Sequence, residues 1–369
     1  MRGTIFAIGW MNVVAPLLFA VEEAPPTDVR GWFAPPLEMA GKLAAVRSPL
    51  EFADGSRVAT PEDWGRRRAE IRAQWMRVMG PWPPLLERPR VDFLETEEDD
   101  AVFRSRVSVE IAPGMMSAGW LLVPAGPGRH PAVFVPYYEP ETSIGRGQPQ
   151  RDFALQLARR GFVALAIGSP GGDARKPQLG GAQCQPLSFL AYVGANCATV
   201  LAGLPEVDPA RIGVIGHSYG GKWAMFAACL DERFACGVWS DPGSGFDDTR
   251  GNINYWDPWY LGAAPGGARP AGLPGEGHPL TGAYREMREL GMDLTELQSL
   301  MAPRPFLVSG GSEDRASRWL HLNHVREVYR VLGLDFRVGM TNRAVHDPSM
   351  KSNAQAYRFL EYFLRAGGR

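Results

Sequence analysis

The stretch Arg211-Ile212-Gly213-Val214-Ile215-Gly216-His217-Ser218-Tyr219-Gly220-Gly221-Lys222 carries more structural information than any other part of the chain. Ile212, Val214 and Ile215 form a short apolar, β-branched run, and Trp223 to Ala228 form a helix-prone apolar run. Between them lies a Gly-x-Ser-x-Gly turn, Gly216 to Gly220. A strand that enters a helix through this turn lifts the serine hydroxyl clear of the backbone. It aims that oxygen beyond the end of a parallel sheet, near a helix N-terminus. The glycines permit a turn that side chains would block. A serine is a poor nucleophile until a base takes its proton and its geometry is fixed. The turn supplies the geometry and makes Ser218 the candidate nucleophile.

On either side of this unit the chain alternates strand and helix signals. Strands are expected at 132–135, 162–167, 212–215, 235–239, 306–309 and 336–340. Helices are expected near 150–160, 187–204, after the turn, 319–332 and 349–364. Such alternation predicts an α/β fold with a mostly parallel central sheet and helices on both faces. Runs at 101–111 and 117–123, joined by Ala112-Pro113-Gly114, predict an antiparallel hairpin at the sheet edge. Residues 22–90 read as an N-terminal arm and helix packing on the core. The helix starts at the N-cap Thr60, followed by Pro61, Glu62 and Asp63, and stops at Gly80-Pro81. Residues 91–369 form the catalytic domain. A lid-like insert, 241–300, follows the sixth core strand and carries Tyr255, Trp256, Trp259 and Tyr260.

The chain has 369 residues, 45% of them hydrophobic and 21% charged, which supports a large core. Its formal net charge of -1 offers no basic field for nucleic acid. Residues 1–21 read as a signal peptide, with Arg2, an apolar run and Leu18-Phe19-Ala20 before Glu22-Glu23. The expected location is therefore secreted or periplasmic, with no membrane attachment once the signal is removed. Cys184, Cys197, Cys229 and Cys236 lack metal-ligand spacing, and no metal or organic cofactor is expected.

In sheets of this kind the site lies beyond the carboxyl ends of the strands. Of six histidines, His346 follows the last core strand on that edge, and the order Ser, acid, His fits. The acid is expected after the penultimate strand, at Asp314, with Glu313 its neighbour and Asp241, after the preceding strand, as the alternative. The acid orients the imidazole and stabilises the imidazolium. An oxyanion needs donors. These are expected from the backbone N–H of Tyr219 and from that of Tyr137 or Tyr138, in the loop after strand 132–135.

The turn, Ala302-Pro303-Arg304-Pro305 and Ser312-Glu313-Asp314 together resemble α/β-hydrolase carbohydrate esterases, among them acetyl xylan esterases and glucuronoyl esterases. The likeness covers roughly residues 100 to 365. Glucuronoyl esterases carry Gly-x-Ser-Arg-x-Gly-Lys, matched here by Gly216, Ser218, Gly221 and Lys222. Tyr219 stands where that family has Arg. The resemblance implies a serine esterase acting on acyl or uronate esters of carbohydrates. Lys222 would then contact substrate, and the aromatic insert, with Trp256, would stack on a sugar ring. Two rival readings remain: a prolyl-oligopeptidase-like peptidase and a non-catalytic binding protein on a hydrolase fold. Residues 22–100 are too few for the propeller that the former carries.

Overall fold

The computed structural model describes residues 22–99, 101–265 and 269–365. The expected signal peptide lies outside the described residues. Nine strands are present among the described residues: β1 (Val91–Asp99), β2 (Val102–Ala112), β3 (Met115–Pro124), β4 (His130–Pro136), β5 (Val163–Ile167), β6 (Val207–His217), β7 (Phe234–Ser240), β8 (Phe306–Gly310) and β9 (Val338–Asn342). They form one sheet in the order β1-β2-β3-β5-β4-β6-β7-β8-β9. The first three are antiparallel to their neighbours, and β4 to β9 run parallel.

The sequence reading missed β1, so the insert follows the seventh strand and not the sixth. The cause is the composition of this edge strand. Val91–Asp99 reads VDFLETEED, without an apolar alternation, and its Phe93 and Leu94 are exposed. Pairing with β2 holds it, aided by cross-strand charges such as Arg106 with Glu95. Acidic residues on an exposed edge also discourage pairing with a further chain.

Side chains alternate across the sheet. Phe134 of β4 and Val214 of β6 join one apolar layer, while Val133, Val135 and Ile215 join the other. On the first side pack α1 (Pro61–Met79), α3 (Pro186–Gly203), α4 (Tyr219–Leu230) and α7 (Trp319–Val331). On the second pack α2 (Phe153–Arg159) and α8 (Met350–Leu364). Helix α3 is long and apolar enough to cross a bilayer, but 83% of it is buried inside the fold. An all-round apolar helix is what a core position requires.

The insert contributes α5 (Gly282–Glu289) and α6 (Leu294–Ser299). Its Tyr255, Trp256 and Tyr260 belong to the first apolar layer, at 4% exposure or less. They are core side chains, not a cover over the site. The insert is also tied to the N-terminal helix. Glu296 of α6 accepts from Arg67 of α1 at 2.7 Å and from Arg47 at 3.0 Å. Arg67 and Glu296 are both buried. Burial pushes the Glu296 carboxyl up, and Arg47 and Arg67 pull it back. Removing one partner of a buried pair strands the other's charge. Glu296→Ala is therefore expected to lower stability by about 3–5 kcal/mol, read as a shift in the urea midpoint.

Candidate active site

Strand β6 ends at His217 and helix α4 begins at Tyr219, so Ser218 alone makes the turn. It does so with φ +54° and ψ −115°, a conformation that non-glycine residues seldom adopt. A Cβ on Gly216 would fall on the Gly220 carbonyl, and one on Gly220 would fall on the Pro136 carbonyl. The Ser218 N–H donates to the Ser240 carbonyl at 2.8 Å, pinning the turn to the end of β7.

His346 lies in the loop after β9, as expected. Its Nε2 is 2.9 Å from Ser218 Oγ, and its Nδ1 is 2.8 Å from Asp241 Oδ2. The expected acid, Asp314, is not the partner. Asp241, the first residue after β7, occupies that position with φ +52°. Asp314 sits four residues beyond β8 and turns inward. There it accepts from the backbone N–H groups of Gly243 (2.9 Å) and Ser244 (2.6 Å), and from Arg318 (3.0 Å). Glu313 turns to Arg250 and Asn252.

Asp241 is itself held by the loop that carries Asp314. Its Oδ1 accepts from the N–H groups of Gly311 (2.6 Å) and Asp314 (2.8 Å), and Oδ2 accepts from Glu313 (3.3 Å). Burial pushes the Asp241 carboxyl up, but the bonds from His346 and these N–H groups outweigh it, and the group titrates below its ordinary value.

A second histidine lies against the first. The His217 and His346 rings are 4.6 Å apart. His217 is buried, and its Nδ1 contacts the Ser240 carbonyl and hydroxyl. Burial first, then His346, Arg343 and Arg151, hold it well below the usual histidine value.

Of the expected oxyanion donors, Tyr219 opens a helix, where a backbone N–H has no intrahelical acceptor. The Tyr137 N–H is spent on the Ile167 carbonyl at 3.1 Å, so that candidate is corrected. Tyr138 stands over the site. Its ring stacks on that of Tyr219 at 4.6 Å, and its hydroxyl faces Ser218. Sequence reasoning missed this contact, because it considered only the backbone of the loop.

Two expected substrate contacts are placed elsewhere. Lys222 is 3% exposed, and its Nζ donates to the Pro242 carbonyl at 2.8 Å. The Tyr255 and Tyr260 rings flank the ammonium at 4.8 and 5.3 Å. Trp256 is 2% exposed and meets Tyr284 edge-on. Both side chains face the interior. Among the described residues, no group of three His, Cys, Asp or Glu side chains could hold a metal ion.

No family model matches the sequence, and no curated protein matches it. Solved structures do. A glucuronoyl esterase from Solibacter usitatus superposes with a TM-score of 0.66 at 17% identity, covering 87% of this chain and 98% of its own. One from Teredinibacter turnerae gives 0.63 at 19% identity, covering 86% and 89%. A putative acetyl xylan esterase from Bacteroides fragilis gives 0.56 at 17% identity, covering 84% and 82%. The fold is that of the α/β-hydrolases. In this fold, the lysine inside the elbow helix is an electrostatic load on the core. Burial pulls the Lys222 ammonium down to about 8, against the pull of Asp314, Glu313, Asp241 and Asp257.

Between about pH 8 and the unfolded lysine value of 10.5, the unfolded chain binds the proton and the native one does not. Stability then rises with pH. From pH 8 to 10, the native protein is expected to gain about 2 kcal/mol relative to Lys222→Met, measured by denaturant unfolding of both.

Proposed function

We propose that this chain is a serine carboxylic ester hydrolase acting on acyl or uronate esters of carbohydrates through an acyl-enzyme. The observation that carries the reading is the 2.9 Å contact of His346 Nε2 with Ser218 Oγ, backed by Asp241 on Nδ1. The carbohydrate esterases among its structural neighbours support the substrate class.

In this reaction Ser218 Oγ attacks the ester carbon as His346 takes its proton. Asp241 holds the imidazole tautomer and stabilises the imidazolium. The oxyanion takes the N–H of Tyr219 and a second donor from Tyr138, whose hydroxyl faces the nucleophile. His346 then protonates the leaving alcohol. It next takes a proton from water, which hydrolyses the acyl-enzyme. Tyr219 and the enclosed Lys222 set this site apart from the Arg- and Lys-bearing elbow of glucuronoyl esterases. That difference favours acyl esters over uronate esters as substrates.

Ser218→Ala is expected to abolish turnover of 4-nitrophenyl acetate and covalent labelling by a fluorophosphonate, with the circular dichroism spectrum unchanged. Undiminished turnover in that variant would remove the proposal. The two acids separate by what they damage. Asp241→Asn is expected to lower kcat by about 10⁴, with some loss of stability, whereas Asp314→Asn should lower the unfolding midpoint more than kcat. Tyr138→Phe, assayed on the same ester, is expected to cost about 10²–10³ in kcat.

A further inference from the structure

The base sits on a poorly covered loop. Val345 is 60% exposed, and His346 keeps 33% of its side chain in solvent. Asp241 grips the ring at Nδ1. One side chain grips the loop's backbone. Arg343, the first residue after β9, turns its guanidinium back under the loop. Its Nε donates to the carbonyls of Asp347 (2.8 Å) and His346 (3.2 Å), and Nη2 donates to the His346 carbonyl at 2.5 Å. The opposite side of the same fork is fixed to the sheet. Nη1 donates to the carbonyl of Ser309 at the end of β8 (2.8 Å) and contacts Ser309 Oγ (3.2 Å) and the Gly310 carbonyl (3.4 Å).

A third connection runs to β7. Nη2 reaches Ser240 Oγ at 3.2 Å, and that hydroxyl is also 3.2 Å from His217 Nδ1. His217 in turn forms the floor under the His346 ring at 4.6 Å. A planar, always-charged fork with five donors can bind several fixed carbonyls at once, which an ammonium cannot do in one geometry.

We infer that Arg343 is a positioning residue: it fastens the His346 loop to the ends of β7 and β8, so that the imidazole meets Ser218 and Asp241 together. This rests on the esterase reading above. Its chemical basis is geometric. Reacting groups about 1 Å out of place lose on the order of 10²-fold in rate, and no other side chain joins the loop's carbonyls to the strand ends among the bonds described.

The test compares wild type, Ser218→Ala, Arg343→Ala and Arg343→Lys on 4-nitrophenyl acetate and with a fluorophosphonate, after each is shown to be folded by circular dichroism. Arg343→Ala is expected to lose about 10²-fold in kcat and in labelling rate, with KM changed less than about threefold. Added guanidinium or methylguanidinium at millimolar levels should restore part of the rate. Arg343→Lys should lose at least tenfold and gain nothing from guanidinium. A merely structural arginine would not give rescue or this split of kcat from KM. Folded Arg343 variants with wild-type kcat and labelling overturn the inference, and so does failure of both variants to fold. An unreactive wild type, or a Ser218→Ala variant as active as wild type, instead overturns the esterase reading and takes this inference with it.

Discussion

Two carboxylates, each caught by the backbone of the other's loop, hold the working edge of this sheet together. Asp241, after β7, accepts N–H groups from the loop after β8. Asp314, after β8, accepts N–H groups from the loop after β7. Both side chains are fully buried. A carboxylate in that setting is tolerable only when its lone pairs are filled, and here each is filled by groups the chain must otherwise satisfy. The exchange fixes the spacing of the two loops. That spacing leaves Asp241 Oδ2 with one direction open, toward His346. Ser218, tied to the Ser240 carbonyl just before Asp241, inherits its position from the same edge.

The sequence revealed the elbow, the histidine and most of the sheet, because each is written locally. Gly216 and Gly220 are required by contacts within a few residues or with one neighbouring strand. His346 follows from strand order alone. The choice of acid was not written locally. Asp241 and Asp314 both follow a strand at its carboxyl end, and only the reciprocal hydrogen bonds decide which one faces outward. One local signal did exist: Asp241 is the first residue past its strand, whereas Asp314 lies beyond one glycine and two further residues. Strand β1 was illegible for a different reason. An exposed edge strand owes its conformation to backbone pairing, which leaves no apolar periodicity to read.

Residue matches within the elbow helix proved a poor guide to what the side chains touch. Lys222 matches the lysine of the glucuronoyl esterase motif, yet it reaches the Pro242 carbonyl from inside, between two tyrosine rings. Tyr219 occupies the position of an arginine, yet its ring is covered by Tyr138 and its hydroxyl meets Ser169. The two residues beside the nucleophile that could address a substrate are therefore built into the walls. What faces outward is Tyr138, 40% exposed, on a loop from a different strand.

The stacked pair of histidines has an electrostatic meaning of its own. Two imidazoles with centroids 4.6 Å apart make poor neighbours when both are cationic. The enclosed ring, His217, resists protonation through its burial. The inner ring therefore stays neutral beside the outer one. An aromatic floor that stays neutral lets the His346 ring lie against it without a charge pressed beneath it.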